Sequence, residues 1–319
     1  MNRFNFLIFL IIMTFGLISF SQDSGKTNES TIVLVTSSGN IYGTLNMPTT
    51  KKKAPIALII AGSGPTDRNG NNNFATNNSL KMLADALAEK NIASIRFDKR
   101  GVGQSKDAAK EEIEMRFEDN IADIEGWLDL IKTDGRFGKI TIIGHSEGSL
   151  IGMLSANKAD AYISLAGPGR PADVVLKEQL SSIPQSMQPG AFVVIDSLKM
   201  GHTVTNYDKR LFSLFRPSVQ PYMISWMKFD PAKEISKVKV PTMIVQGTKD
   251  LQVSIEDSKL LFENFKKAKY LLIPNMNHVL KSIISDERKD NFDSYGDAKM
   301  PLDKTLAKEI QKFIKKYGS

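Results

Sequence analysis

The run Gly144-His145-Ser146-Glu147-Gly148 constrains this chain more than any other stretch. It follows Lys139-Ile140-Thr141-Ile142-Ile143, a short β-branched segment that reads as a buried strand. The residues after it, Ser149 to Ala156, are small or apolar and read as a helix packed closely on a sheet. Glycines flank a serine at such a strand-to-helix turn because strand and helix come too close for side chains there. The helix that starts at the turn aims backbone N–H groups at the serine and favours negative charge beside it. The context therefore points to a nucleophilic Ser146, against the plainer reading of a turn that happens to hold a serine.

The flanking chain alternates between strand and helix patterns. Thr31–Thr36 and Ile41–Leu45 read as an antiparallel pair about the turn Ser37-Ser38-Gly39-Asn40, preceded by a polar, flexible stretch over 22–30. Pro55–Ile60 is almost wholly apolar, as expected in a sheet covered on both faces. Further strands are expected at Ile92–Phe97, Ala161–Ala166, Pro241–Gln246 and Lys269–Ile273. Helices are expected from Ser79 onward, over Lys110–Lys132 with Ile113, Phe117, Ile121, Ile124 and Leu128 on one face, over Ser254–Lys266, and over Leu302–Lys315. Residues 282–300 read as a charged excursion. Between 170 and 237 the alternation stops, and helical spacing with many methionines and aromatics takes over. The expected fold class is α/β: a mostly parallel central sheet flanked by helices, with a helical lid. The core would be 22–169 and 238–319, and the insertion 170–237 would cover the end of the sheet that carries Ser146. Its methionine and aromatic stripe serves either as packing or as an adaptable apolar wall for a substrate.

Composition excludes several chemistries. There is no cysteine, so disulfides, thiolate catalysis and cysteine metal sites are out. The only histidines are His145, His202 and His278, too few for a histidine-rich metal centre. The formal charge of +7 is spread along 319 residues with no arginine-rich block, which argues against nucleic acid as a partner. No cofactor is implied, because Gly101-Val102-Gly103 lacks the rest of a dinucleotide fingerprint. At the start, Asn2 and Arg3 precede an apolar run from Phe4 to Phe20, with small Ser19 and Ser21 near its end. This reads as a signal peptide over 1–21, giving a bacterial periplasmic or secreted protein with no stable membrane insertion after cleavage; an uncleaved anchor is the competing reading. Oligomeric state is not encoded in any pattern seen here.

An attacking serine needs a base, and the base needs an acid to fix its tautomer and stabilise its charged form. His145 precedes the serine, so its side chain should point away, and His202 lies inside the insertion. His278 follows the last strand at the same rim as Ser146 and is the candidate base. Asp250 follows the strand Pro241–Gln246 on that rim and is the candidate acid. Asp230 falls in the insertion, and Asp257 on a helix. Glu147 offers its backbone N–H to an oxyanion, while its side chain suits a helix start. The loop Gly62-Ser63-Gly64, after a central strand, is a second source of N–H groups for an oxyanion. Asp98 and Arg100 are expected to lock their loop by pairing with each other.

The order Ser146, Asp250, His278 resembles that of α/β-hydrolases. The resemblance rests on Gly62-Ser63-Gly64-Pro65-Thr66-Asp67-Arg68, Asp98-Lys99-Arg100-Gly101-Val102-Gly103-Gln104-Ser105, Gly144 to Gly148, Gly247-Thr248-Lys249-Asp250 and Asn277-His278. It is similar to bacterial serine hydrolases of the serine aminopeptidase-like and acyl esterase branch, over about 31–317, with the insertion loosely matched. Many relatives carry histidine before the first glycine of the oxyanion loop. Ala61 stands there in this chain, and the loop position selects Ser63 as the second oxyanion donor. The resemblance implies hydrolysis of a small-molecule ester through an acyl-enzyme. The other readings are an aminopeptidase, with Glu147 or Asp67 as candidates to receive a substrate amino group, a thioesterase, and a non-catalytic binding protein of the same fold.

Overall fold

The computed structural model describes residues 27–49, 53–109, 111–181 and 183–318. The signal segment expected over 1–21 lies outside them. The described residues build one eight-stranded sheet: β1 (Thr27–Thr36), β2 (Gly39–Pro48), β3 (Ala54–Ile60), β4 (Ala93–Phe97), β5 (Phe137–His145), β6 (Ala161–Leu165), β7 (Thr242–Gly247) and β8 (Lys269–Ile273). Their spatial order is β1-β2-β4-β3-β5-β6-β7-β8. β2 pairs antiparallel with β1 and β4, and every other neighbour is parallel. Parallel strands buried on both faces need apolar side chains on both, which is why β3 reads as a continuous run and why Ile56, Leu58, Ile59 and Ile60 are all buried.

The helices follow in chain order: α1 (Ser79–Ala88), α2 (Phe117–Thr133), α3 (Glu147–Ser155), α4 (Ala172–Leu180), α5 (Gln188–Lys199), α6 (Phe212–Phe215), α7 (Gln220–Trp226), α8 (Pro231–Ile235), α9 (Ile255–Asn264), α10 (Arg288–Asp293) and α11 (Lys304–Tyr317). They divide the apolar core between the two faces of the sheet. One cluster gathers Phe117, Ile124, Trp127, Leu128 and Leu150 against Ile56, Leu58 and Ile60 of β3. The other gathers Leu80, Leu83, Leu87, Ile310 and Phe313 against Ile59 and Ile143. Between β6 and β7, α4, α5 and α7 close around a third cluster of their own, with Ile195, Leu198, Phe215 and Met223 buried in it.

Three expectations are corrected. First, β1 starts at Thr27, so part of the stretch expected to be flexible is sheet. Glu29 is held there by Arg96, a buried guanidinium that it meets at 2.6 Å. Second, the helix expected over Lys110–Lys132 begins only at Phe117. Short 3-10 turns at Gly103–Ala108 and Glu112–Glu114 precede it, and Ile113 is exposed instead of lying on the buried face. Third, Asp98 and Arg100 do not pair with each other. Asp98 meets Arg68 at 2.7 Å, while Arg100 takes Asp123 on α2. A buried charge needs a close partner, and here each finds one on a different element.

The Asp98 carboxylate also accepts the backbone N–H groups of Arg68 and Gln104, at 2.9 Å each. Burial alone would raise its pKa, but these bonds and the Arg68 charge hold it below the ordinary carboxylate range. Asp98→Ala leaves the Arg68 guanidinium buried and unpaired. It is expected to cost about 3–5 kcal/mol of unfolding free energy, read as a lower urea midpoint at unchanged slope; an unchanged midpoint would show the pair to be dispensable.

Candidate active site

Ser146 sits between β5 and α3 with φ 55° and ψ −123°, a backbone conformation that non-glycine residues rarely adopt. Such strain costs on the order of 1–3 kcal/mol and persists where its surroundings impose it. Here the imposition is steric. A Cβ on Gly144 would lie 2.1 Å from the Gly148 carbonyl oxygen, and one on Gly148 would lie 2.5 Å from the Ile60 carbonyl oxygen. The turn can therefore close only with glycine at both positions. Gly62, in the loop after β3, presses on the serine itself: a Cβ there would stand 3.1 Å from the Ser146 Cβ.

The candidate base and acid are joined. His278 Nδ1 lies 2.8 Å from Asp250 Oδ2, with both side chains buried. Asp250 leaves β7 at a turn in which its other oxygen accepts the backbone N–H groups of Gln252 and Val253, and Gln246 Nε2 donates to Oδ2 at 3.1 Å. Burial pushes the Asp250 pKa up, and the attraction of His278 together with these hydrogen bonds outweighs it, so the carboxyl is held below its ordinary value. His278 and Ser146 line one cavity of about 200 Å³ with Gly62, Ser63, His145 and Tyr295.

His145 takes a structural place beside the base. Its Nε2 lies 2.9 Å from the His278 carbonyl oxygen, and the two rings are 4.8 Å apart. Burial first, and then the nearness of His278, push its pKa down to about 3, so it is neutral near pH 7. His202 is exposed. Asp230 caps α8 through the Ala232 N–H, and Asp257 is buried against Arg170 at 2.6 Å, so neither competes for His278.

The side chain of Glu147 does more than start a helix. It is buried, and its Oε2 accepts from Lys99 Nζ at 3.0 Å while its Oε1 accepts from the Tyr222 hydroxyl at 2.9 Å. Lys99 Nζ also donates to the Gly62 carbonyl oxygen at 2.7 Å, and Asn120 Nδ2 donates to the Tyr222 oxygen at 3.1 Å. Burial, and next the adjacent Glu147 carboxylate, push the Tyr222 phenol well above its ordinary pKa, so it stays a donor. Sequence reasoning missed Lys99, Tyr222 and Gln246 as site residues. It also missed Asn291 and Ser294, which bind the Asn277 amide next to His278 from inside the excursion 282–300. The only hint was that Lys99 and Glu147, 48 residues apart, each stand in an expected site loop; nothing local linked them.

A larger cavity of about 370 Å³ opens from Ser146 on the side of the helical insertion. Leu150, Val175, Leu176, Leu214, Met223 and Trp226 form much of its wall. Arg170 and Arg216 also border it, but each is matched by carboxylates, Asp257 and Glu178 for the first and Glu112 for the second.

The sheet order, the strained serine after β5, and the acid and histidine after β7 and β8 define an α/β-hydrolase fold. Comparison with known proteins agrees. Residues 76–176 match the family model of serine aminopeptidases (S33). Esterase EstD of Thermotoga maritima is 24% identical over 289 residues, which cover 86% of this chain and 65% of that protein, so the chain spans just under two thirds of that relative's length. Est1E from Butyrivibrio proteoclasticus, solved with ferulic acid, superposes with a TM-score of 0.60 at 18% identity, covering 90% of this chain and 98% of that one. The Pyrococcus furiosus esterase Pf2001 superposes with a TM-score of 0.57 at 13% identity, covering 92% of this chain and 94% of that one. The chain has the α/β-hydrolase fold.

The neutral, buried His145 makes stability depend on pH with a defined sign. Its folded pKa, about 3, lies below the ordinary 6.5. The unfolded chain therefore binds the extra proton, and stability is full above pH 6.5 and falls as pH drops toward 3. Between pH 6.5 and 5 this residue should contribute a loss of about 2 kcal/mol. Urea unfolding of wild type and His145→Gln at pH 7 and pH 5 tests it: the wild type should lose more than the variant, and equal losses would refute the assignment.

Proposed function

We propose that this chain is an exported serine hydrolase that cleaves carboxylic esters with an apolar acyl group and a small, polar leaving alcohol. The observation that carries the reading is the buried Asp250–His278 pair at 2.8 Å, facing the same cavity as a serine whose backbone is forced to positive φ. His278 takes the Ser146 proton as Ser146 Oγ attacks the ester carbonyl. Asp250 fixes the histidine tautomer and stabilises its charged form. The backbone N–H groups of Glu147 and Ser63 receive the oxyanion; one such donor is worth about 2.7–4 kcal/mol in the barrier. His278 then protonates the leaving alcohol, and water resolves the acyl-enzyme. EstD and Pf2001, proteins named as esterases, support this reaction class. The expected export rests on the N-terminal sequence alone, and detection of the mature start by mass spectrometry of exported protein would test it.

The two cavities at Ser146 support one placement of the two halves of the substrate. The group that protonates the alcohol must face it, so the cavity lined by His278 is the leaving-group side. Its wall holds Ser63, Thr66, Asn72, Asn77, Gln252 and Tyr295, a polar set. The larger, apolar cavity then receives the acyl group. At about 370 Å³ it lies near the small end of ligand pockets, roughly 300–1,000 Å³.

The match to a serine aminopeptidase model favours a peptidase as the second reading. That activity needs a free carboxylate for the substrate amino group. Glu147 is saturated by Lys99 and Tyr222, and Asp67 Oδ1 is taken by the backbone N–H groups of Asn69 and Asn71. Both oxygens of Glu147 are thus taken within the fold, as is one of Asp67.

Initial rates on p-nitrophenyl acetate, butyrate, octanoate and palmitate, beside aminoacyl p-nitroanilides, separate the readings. Esters should turn over with an optimum at intermediate acyl length. Activity confined to the anilides would move the assignment to peptidase. Ser146→Ala and His278→Ala should each lower kcat by about 10⁴-fold or more, and Asp250→Asn by about 10²–10⁴-fold, in folded protein. Normal turnover by folded Ser146→Ala would end the triad reading. Leu214→Trp, which fills the apolar cavity, should shift the optimum to shorter acyl groups with acetate turnover retained, and an unmoved optimum would place the acyl chain elsewhere.

A further inference from the structure

We infer that Lys99 is a positioning residue that orients both oxyanion donors through a single ammonium group. The inference rests on the esterase reading above, in which the N–H groups of Ser63 and Glu147 receive the oxyanion.

The argument is geometric. The peptide bond between Gly62 and Ser63 is planar and trans, so its carbonyl and its N–H point in opposite directions. Lys99 Nζ holds the Gly62 oxygen at 2.7 Å. Holding that oxygen fixes the rotation of the whole peptide plane and therefore the direction of the Ser63 N–H. The rest of the loop is held on its outer side by the Thr66 hydroxyl, which donates to the Ser63 carbonyl oxygen at 2.9 Å, while Ser63 is exposed and Gly64 adopts φ 69° with open space where a Cβ would stand. A second proton of the same ammonium goes to Glu147 Oε2 at 3.0 Å. Glu147 is the residue whose own N–H is the other donor, so the two donors are referenced to one atom. The charge adds polarisation. A cation bonded to a carbonyl draws electron density from that amide and strengthens its N–H as a donor, an effect enlarged in a buried setting. Lys99 is itself buried and touches neither the serine nor the larger apolar cavity, so it acts through the backbone.

The ammonium also answers why a chain would bury Lys99 and Glu147 where most cores are apolar. A buried ion pair adds little net stability, but its directional bonds hold one arrangement. Tyr222, on α7, closes the second oxygen of Glu147 at 2.9 Å and leaves Lys99 its partner.

The test uses the full mature chain with p-nitrophenyl butyrate and a trifluoromethyl ketone of the same acyl length, which adds Ser146 to give a hemiketal oxyanion. Lys99→Met should lower kcat by about 10- to 100-fold with KM changed by less than about threefold. The ketone inhibition constant should rise in step with the loss in kcat/KM, because both report the same oxyanion. Lys99→Met leaves Glu147 without its counter-ion, so Lys99→Met/Glu147→Gln, which buries no net charge, is measured alongside and should show the same coupled losses. A folded variant of either kind with kcat and ketone affinity within about twofold of wild type would overturn the inference and leave the esterase reading standing. A rise in KM with unchanged ketone affinity would assign Lys99 to substrate binding and also overturn it. Absence of any Ser146-dependent ester turnover in the wild type would overturn both.

Discussion

Everything at the site depends on how closely a strand and a helix approach at Ser146. β5 lies inside the sheet, with Ile60 of β3 opposite Gly144 on one side and Ser164 of β6 on the other. α3 leaves that strand so steeply that the Gly148 carbonyl occupies the space a Gly144 side chain would need. The small residues that follow are required by the same approach. Ser149 reaches Ser164 Oγ at 2.8 Å and the Tyr162 hydroxyl at 2.9 Å, and Gly167 fits where a Cβ would strike the Ser149 hydroxyl. A positive φ at Ser146 follows from this packing, and the rigidity of the sheet holds it.

The second constraint is electrostatic and starts from three consecutive residues. Asp98, Lys99 and Arg100 are charged, mostly buried, and sent in three directions: to Arg68 in the loop after β3, to Glu147 after the serine, and to Asp123 on α2. Removing any one partner leaves a charge without water or counter-ion, a cost of several kcal/mol, whereas the intact pairs contribute little net stability. Such a set selects geometry. It ties the loop after β3, the turn at Ser146 and α2 to a single loop after β4, so these elements cannot shift independently.

Local and periodic features were legible in the sequence. The alternation of strand and helix, the glycines around Ser146, and the positions of Asp250 and His278 at strand ends follow from short-range patterns, and the structure puts Asp250 and His278 in contact. Long-range polar pairing was not legible. Lys99 and Glu147 are 48 residues apart, and Glu147 and Tyr222 are 75 apart. Periodicity carries no information about which of many surface-typed residues turn inward. The same blindness explains Asp98 and Arg100: adjacency in sequence suggested a mutual pair, and burial supplied better partners. Ile113 failed for a different reason. The helical spacing continued past the helix start, where Asp119 Oδ2 accepts the Arg116 backbone N–H at 2.8 Å, so an apolar residue in register with the helix lies outside it and is exposed.

The insertion joins these two constraints. α7 supplies Tyr222 to the Glu147 carboxylate and Met223 and Trp226 to the wall of the larger cavity. It is also fixed to α2, because Phe117 stacks on Trp226 with ring centroids 6.1 Å apart, and the Phe117 N–H donates to Ser225 Oγ at 2.7 Å. One short helix therefore carries part of the wall of the larger cavity, the last hydrogen bond of the Lys99–Glu147 network, and an anchor on the helix that binds Arg100. Displacing α7 would open the apolar cavity and expose the Glu147 carboxylate to water in the same movement. Water would weaken the Lys99–Glu147 attraction several-fold, since the energy of a charge pair scales inversely with the local dielectric constant. If Ser146 is the nucleophile, shape recognition of the acyl group and orientation of the oxyanion donors rest on the same packed helix. The site is then fully organised only when that helix is seated.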